Sequence, residues 1–140
     1  MIAIEASPAI FKRLDENIMR NRTDNVELLN IAIDAKSGER DLFSAPAGNI
    51  GATSLIQGHG FRLEAHVKTD TLAAVISPDA VARLRLIKID VEGAEAAVVA
   101  GLKPILQGCP DNMEILIEIS PHLLRRQGLV PKDVIKVFSQ

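Results

Sequence analysis

The segment 84–102 constrains the fold of this chain more than any other part of the sequence. Residues 84–89 form a mostly apolar run that predicts a buried strand, and Asp90 ends it. Gly93 then precedes a stretch with helical spacing. The apolar stripe of that helix contains Val98, Val99 and Leu102. A buried strand that passes directly into a helix is typical of α/β domains, in which helices cover a sheet of parallel strands.

The rest of the chain alternates in the same way. Further strands are predicted at residues 2–5, 26–33 and 113–119, with shorter ones near 40–44 and 63–69. Helices are predicted at residues 8–20, at 72–76 and from Pro131 onward. We expect Ser7 to cap the first of these helices, Asp70 to cap the second, and Gly101 to end the helix that follows Gly93. The opening order of strand, helix and strand implies a right-handed parallel unit.

Composition narrows the class of protein further. Apolar residues make up 47% of the chain, which has no Trp, no Tyr and four Phe. The core must therefore consist of Ile, Leu, Val and Ala, which suits a helix-covered sheet better than a surface that stacks nucleic-acid bases. The formal net charge of −2 also argues against nucleic acid as a partner.

Cysteine use and hydropathy bear on the compartment. Cys109 is the single cysteine, which excludes an internal disulfide and fits a reducing environment. No basic stretch precedes an apolar run at the N-terminus, and no window approaches the roughly 18 apolar residues of a membrane span. We expect a cytoplasmic protein that has no membrane partner.

Each predicted parallel strand is followed by a polar residue. These residues are Glu5, Asp34, Asp90 and Glu118, the last with Ser120 nearby. Ligands of open α/β sheets bind beyond the carboxyl ends of the strands, so function is expected there. Glu5 is placed to accept hydrogen bonds from both hydroxyls of a ribose, because a carboxylate offers two acceptor oxygens. The alternative is that Glu5 is merely a solvated strand-end residue.

Residues 88–95, Lys-Ile-Asp-Val-Glu-Gly-Ala-Glu, place three carboxylates at the end of the buried strand and the start of the next helix. An acid near a helix N-terminus is stabilised by about 0.3–1 kcal/mol, so capping explains one of them. Three together favour a functional role for Asp90. For Glu92 and Glu95 the functional and structural interpretations stay open.

This octet resembles the signature of FkbM-type methyltransferases. The other blocks that are similar to the family are residues 5–8 with Phe11, Leu14 and Asn17, then Ala32 and Ile33 with Gly38, then residues 117–119. The similarity extends from about residue 2 to residue 128. It implies a Rossmann-like class I methyltransferase fold, with helices on both faces of a parallel sheet. It also implies S-adenosylmethionine as cofactor and methyl transfer, usually to an oxygen.

The resemblance also implies roles for particular residues. Glu5 would bind the ribose, Ala6 and Ser7 would pass beneath the adenine, Asn30 or Ala32 would line its far side, and Asp90 would face the methionine part and the reaction centre. The implied acceptor is a small-molecule hydroxyl, such as that of a sugar or polyketide. A general base must lie within hydrogen-bond reach of that hydroxyl. The candidates are Asp90, Glu92 and His122. The alternative interpretation of His122 is a surface residue without a catalytic role.

Residues 45–60 are rich in glycine and predict a mobile loop, which either closes over the acceptor or is a surface excursion. No set of side chains has the spacing of a metal site, since Asp90 and Glu92 lack further ligands.

The chain departs from the family at its beginning. Only four residues precede Glu5, so we expect the first strand and its glycine-rich turn to be missing. The last strand pair of the family's fold is not predicted either. Residues 1–140 would then be a partial methyltransferase domain with exposed sheet edges, which pair with a second copy or a completing chain. The alternatives are a non-catalytic remnant that binds no cofactor, and another kind of nucleotide-binding domain.

Overall fold

The computed structural model of the chain describes residues 1–45 and 52–139. The strands are β1 (Ile2–Ile4), β2 (Glu27–Leu29), β3 (Ala32–Ile33), β4 (Gly38–Ser44), β5 (Thr53–Ser54), β6 (Arg62–Asp70), β7 (Leu86–Ile89) and β8 (Glu114–Ile117). The helices are α1 (Pro8–Asn21), α2 (Leu72–Val75), α3 (Pro78–Val81), α4 (Glu95–Ala100), α5 (Lys103–Gly108), α6 (Pro121–Arg126) and α7 (Pro131–Ile135), which a 3-10 turn (Lys136–Ser139) follows. In these ranges no helix has both the length and the apolar character that crossing a membrane requires. The alternating α/β character that the sequence predicts is confirmed.

The described strands form three hydrogen-bonded sheets rather than the single parallel sheet that the sequence predicts. β1 pairs with β2 and β7 pairs with β8, in both cases in parallel. The third sheet is mixed and has the order β3-β6-β4-β5. Only its β3–β6 pair is parallel, because β4 and β6 form a long antiparallel pair that the predicted short strands did not imply. The expectation of one sheet with parallel strands throughout was therefore too simple.

The main core lies between β7, β8 and helices that precede and follow β7 in the sequence. Its buried members are Leu72, Ile76, Val81, Ile87, Ile89, Val98, Val99, Leu102, Ile105, Leu124 and Val134. Along β7 the side chains alternate, with Ile87 and Ile89 in this core and Leu86 and Lys88 exposed. In the described part of the chain, helices thus cover one face of the β7–β8 pair, whereas the sequence predicts cover on both.

Helix α1 begins where the sequence predicts. Ser7 is its N-cap, and the Ser7 Oγ accepts a hydrogen bond of 3.1 Å from the Ile10 N–H. The predicted cap of α2 was wrong by one residue. Thr71 is the N-cap, whose Oγ1 accepts from the Ala74 N–H at 3.3 Å, because Asp70 is still the last residue of β6.

The helix after Gly93 ends at the predicted position, with Gly101 as its C-cap. The glycine-rich segment is only partly covered, since residues 46–51 lie outside the described residues. Its remainder contains β5, which the sequence did not predict. β5 pairs with the end of β4 and brings Ser54 towards the end of β7.

Replacement of Ser7 by Ala should destabilise the protein by about 1–2 kcal/mol, because it removes a helix cap at a fully buried position. The Ser7 Oγ also donates to Glu64 Oε1, which loses that donor in the variant. Ser77→Ala is the matched control, since Ser77 is exposed and caps the four-residue helix α3 in the same way. Urea denaturation should show a loss of at most about 0.5 kcal/mol for that control. Equal losses in the two variants would contradict this account of Ser7.

Candidate functional site

A cavity of about 1660 Å³ opens between β1 and β7 and continues past their carboxyl ends. Of the residues that the sequence singled out, Glu5, Ala6, Ala32, Asp90 and Glu92 line it. The structure therefore brings together, around one space, residues that are up to 87 positions apart in the sequence (Glu5 to Glu92). Ser7, Asn30 and His122 are not among its lining residues.

The turn after β1 fixes the Glu5 carboxylate. The Ser7 N–H donates to Glu5 Oε1 at 2.7 Å, so the carboxylate folds back over its own turn. Partial burial raises the pKa of Glu5, the nearby Glu64 carboxylate adds to the rise, and the hydrogen bond from Ser7 opposes both. An acceptor oxygen held in this way suits a neutral donor such as a sugar hydroxyl.

Ser7 and Asn30 stabilise that turn from outside the cavity. Ser7 is fully buried as the cap of α1 and hydrogen-bonded to Glu64. The Asn30 Nδ2 donates to the carbonyl oxygens of Glu5 and Ala6, at 2.8 and 3.3 Å. In this arrangement both side chains position Glu5 and Ala6 instead of facing the cavity themselves.

Asp90 lies at the opposite edge of the cavity. It is exposed, and its Oδ2 accepts from Lys88 Nζ at 2.8 Å. The same hydrogen bond, reinforced by the charge of Asp90, raises the pKa of Lys88. Because both side chains are exposed, another cation is able to replace Lys88 as the partner of Asp90 at little cost.

Glu92 has a left-handed backbone with φ of 46°, which is uncommon for a residue other than glycine. Two hydrogen bonds hold it there: the Ser54 Oγ donates to the Glu92 carbonyl, and the Ser120 Oγ donates to Glu92 Oε2 at 2.8 Å. Backbone strain of this kind persists only where the surroundings over-determine it, and it is concentrated at functional sites. Here β5 and the end of β8 supply the restraint.

The Glu95 side chain stabilises the same loop from its buried side. Its side chain is completely buried, and its Oε1 accepts from the Gly93 and Ser120 N–H groups, both at 2.9 Å. The Gln127 Nε2 donates to the Gly93 carbonyl at 2.7 Å. The residues that present Asp90 and Glu92 are therefore tied to the strand end after β8 and to helix α6.

Several of these positions escaped the sequence analysis. Ser54, Glu64 and Gln127 carried no signal, because each acts on the site through a hydrogen bond to a residue far away in the sequence. Ser120 was noted only as a polar residue after a strand. His122 lies exposed in α6, and the structure gives it no hydrogen bond within the described residues.

The chemistry that this arrangement offers is that of carboxylates in a cavity whose lining is partly polar and partly apolar. Glu5 stands on one side of the cavity, and Asp90 and Glu92 stand on the other. The space between them is bordered by apolar side chains, among which Ile4, Ala6, Ala32, Ile89 and Val91 line the cavity. Within the described ranges, no cluster of three or more His, Cys, Asp or Glu residues is placed to bind a metal ion. The site is suited to a ligand with hydroxyl and cationic groups.

The raised pKa of Glu5 gives a stability that depends on pH. The folded protein holds this proton more tightly than the unfolded chain does, so ionised Glu5 opposes folding. Its stabilising contribution is complete below the ordinary pKa of 4.5 and is lost as the pH rises through the raised value. Glu5→Gln should therefore gain stability relative to the wild type as the pH rises above 4.5, as measured by urea denaturation. Glu64→Gln should give a smaller change of the same sign, and a change of opposite sign for Glu5→Gln would refute the assignment.

Gly93→Ala should destabilise the loop for two reasons. The φ of 97° is strained for alanine, and a Cβ at this position would lie 2.5 Å from Leu123 Cβ. We expect a loss of about 2–5 kcal/mol, the sum of a left-handed residue and an overpacked contact. Gly128→Ala is the control, since its φ of 74° is similar but no atom lies within 4 Å of the added Cβ. It should lose about 1–2 kcal/mol in the same chemical denaturation experiment, and equal losses would exclude the contact with Leu123 as a cause.

Comparison with known proteins bears directly on this site. Neither the search of curated proteins nor the search of solved structures gave a match. The family described as the Methyltransferase FkbM domain matches residues 1–138, which is nearly the whole chain and includes both edges of the cavity. The resemblance seen in residues 88–95 is thereby confirmed, and the chain belongs to the FkbM methyltransferase domain family.

Proposed function

We propose that this protein is an S-adenosylmethionine-dependent methyltransferase whose acceptor is the hydroxyl group of a small molecule, such as a sugar or a polyketide. The observation that carries the proposal is the placement of Glu5 and Asp90 on opposite edges of one cavity. Membership of the family supports methyl transfer in general. The two carboxylates support the choice of cofactor, since it carries a ribose and a cationic methionine part.

The residues of the cavity fit the parts of this cofactor. Glu5 would accept hydrogen bonds from the ribose hydroxyls, because its carboxylate is already oriented by Ser7. Ala6 and Ala32 have small apolar side chains that leave room for a flat adenine ring. Asp90 would receive the ammonium group of the methionine part in place of Lys88. Ser7 and Asn30 would contribute by holding the Glu5 turn.

The bound cofactor supplies an electrophilic methyl group on a sulfonium, and the protein supplies position, water exclusion and a place for the proton. The cofactor would supply its methyl group to the acceptor oxygen and would keep, on its sulfur, the electron pair of the carbon–sulfur bond that breaks. The hydroxyl proton passes to a base within about 3 Å. Glu92 and Asp90 are favoured over His122 for this role because they line the cavity. The apolar residues of the lining, such as Ile4, Ile89 and Val91, would favour the reaction by excluding water.

The same proposal extends to the fold. We assign the two parallel pairs, β1–β2 and β7–β8, to two halves of one Rossmann-like sheet, with the cavity between them. In such sheets the ligand binds at the carboxyl ends of the central strands. Glu5, Asp90 and Glu92 follow those ends.

Calorimetric titration with S-adenosylhomocysteine tests the proposal. The wild type should bind it, and Glu5→Gln should bind it roughly 10- to 100-fold more weakly, since a hydrogen bond to a charged group contributes about 1.5–3 kcal/mol. Asp41→Asn is the control, because Asp41 is exposed on β4, pairs with His66 and does not line the cavity. Its affinity should equal that of the wild type.

Two outcomes would contradict the proposal. No heat at millimolar ligand would favour a non-catalytic member of the family. Equal affinity of the wild type and Glu5→Gln would show that the ligand binds elsewhere.

A further inference from the structure

One side of strand β4 carries backbone hydrogen-bonding groups that no described strand uses. β4 pairs with β6 along its whole length but with β5 only at its last two residues. Just beyond them, the Ala45 N–H donates to the Ala52 carbonyl at 2.9 Å. An antiparallel strand directs the N–H and C=O groups of successive residues alternately to its two sides, so the odd-numbered residues of β4 face the β5 side. Within the described ranges, the backbone groups of Glu39 and Asp41 therefore point to an edge without a neighbouring strand.

The pairing of β4 with β6 agrees with this direction. The Asp34 N–H donates to the Asp70 carbonyl at 2.9 Å, so the even-numbered residues of β6 face β3 and the odd-numbered residues face β4. Up to Leu42, the odd-numbered residues of β6 lie opposite the even-numbered residues of β4. These even-numbered residues bond to β6, which leaves Glu39 and Asp41 for the other side.

Strand β5 stops short of this edge because of Ser54. The Ser54 Oγ accepts from the Ile56 N–H at 2.9 Å and donates to the Glu92 carbonyl. An extension of the β5 register would place Ile56 opposite Asp41, but its N–H is already used within its own turn. The interaction that holds the loop of the candidate site thus also ends β5 before it reaches the middle of β4.

A second cavity, of about 630 Å³, follows this edge, and we call it the β4 groove. It is lined by residues 39–41 and Phe43 of β4, by residues 55–57 after β5, and by His66 of β6. Asp41 lies opposite the exposed His66, whereas Arg40 lies on the face of the buried Leu42. Because residues from both faces of β4 line it, the groove follows the edge of the strand. Its volume is within the roughly 300–1000 Å³ of small-ligand sites, which suits a short extended segment.

The side chains along the edge favour a basic segment. Residues directly opposite each other in neighbouring strands share a face of the sheet. Glu39 and Asp41 are both exposed, and one Asp41 oxygen contacts the His66 ring at 2.7 Å. A basic residue opposite each of these two acids gains an oppositely charged neighbour. The residue between them lies opposite Arg40, whose guanidinium is paired with the buried Asp34 at 2.9 Å, so a basic residue is disfavoured there.

The same charges disfavour a second copy of this chain. Antiparallel pairing of β4 with itself, centred on Arg40, would place Arg40 opposite Arg40 and Glu39 opposite Asp41. Like charges directly opposite each other are destabilising. Charged side chains on edge strands commonly prevent self-association in this way, and here they leave the edge to a partner of opposite charge.

We propose that the β4 groove binds an extended basic segment of another protein, which pairs with β4 in the antiparallel sense. The segment has a basic, an apolar and a basic residue opposite Asp41, Arg40 and Glu39. This recognition mode is β-augmentation, in which main-chain hydrogen bonds supply affinity and side chains supply selectivity. It goes beyond methyl transfer and does not depend on the proposed cofactor.

The probe is the peptide acetyl-Thr-Lys-Val-Lys-Thr-amide, titrated into the full chain by NMR without S-adenosylhomocysteine. One control peptide is N-methylated at both lysines, and the other has glutamate in place of both. The probe should bind saturably at millimolar concentration or below. The N-methylated peptide should bind about tenfold or more weakly, because it lacks the donors to the Glu39 and Asp41 carbonyls. The glutamate peptide should bind severalfold more weakly. Equal affinity of the probe and either control would overturn the proposal, as would no binding of the probe.

Amide exchange locates the bound peptide. Protection should increase most at Glu39 and Asp41, whose N–H groups face the groove, and least at Arg40 and Leu42, which already bond to β6. Equal increases in the two sets would show that the peptide lies on the surface without pairing. Protection of Glu39 and Asp41 without peptide would also overturn the proposal. In a dimer it would make a second copy the occupant, and in a monomer it would make residues 55–58 of the same chain the occupant.

A variant pair at Glu39 tests the edge from the protein side. Glu39→Pro and Glu39→Ala both remove the carboxylate, but only the proline variant also removes the N–H that faces the groove, on an edge that tolerates proline. The proline variant should bind the probe severalfold more weakly than the alanine variant, with circular dichroism showing that both are folded. Glu114→Ala is the control, since Glu114 is an exposed acid of β8, and it should bind as the wild type does. Equal affinities of the two folded Glu39 variants would exclude the hydrogen bond. If the proline variant does not fold, the N-methylated peptide tests the ladder in the unaltered chain.

Discussion

The carboxylate of Glu95 is the contact on which the candidate site depends. One of its oxygens accepts from the N–H groups of Gly93 and Ser120, and so joins the loop after β7 to the end of β8. A buried carboxylate without such donors would be costly, so the hydrogen bonds and the buried position of Glu95 require each other. The second oxygen finds no partner within the described ranges.

The two sides of the cavity follow one structural scheme. On the β1 side, Glu5 accepts from the N–H of Ser7, two residues later, whereas Glu95 accepts from the N–H of Gly93, two residues earlier. In each case a carboxylate organises the turn after a strand, at the place where a ligand would meet the backbone. The difference is exposure: Glu95 is sealed in the core and acts on the loop, whereas Glu5 reaches the cavity and is available to a ligand. Burial thus distinguishes an acid that acts only within the protein from one that lines the cavity.

The sequence predicted most of the strands and helices because their signals are local, but the predicted strand 26–33 is two strands, β2 and β3, in different sheets. Ser7 and Pro8 mark the start of α1, and the apolar run 84–89 marks β7, whatever the rest of the chain does. The residues of the candidate site were predictable only where they directly follow a predicted strand. Asp90 and Glu5 follow strands and were found, but the assignment of Glu95 to the loop depends on Ser120, which is 25 residues away. The cap of α2 was misplaced because β6 extends through Asp70, and strand length is decided by its pairing with β4.

The local costs in this structure are concentrated at the cavity. Glu92 has a strained backbone and the pKa of Glu5 is raised, and within the described residues one Glu95 oxygen has no partner and β1 and β7 are not paired with each other. A sequence selected for stability alone would remove such features, since each has a simple substitute: glycine at 92 would relieve the strain, and a neutral residue at 5 would avoid the burial of charge. Natural proteins keep conflicts of this kind where function requires them and offset them elsewhere. The offsets are present here, because Ser54, Ser120 and Gln127 hold the strained loop from three separate elements. The strained or unsatisfied groups and the hydrogen bonds that offset them thus lie around the same cavity. This coincidence is the physical argument that the fold maintains this cavity rather than another part of the surface.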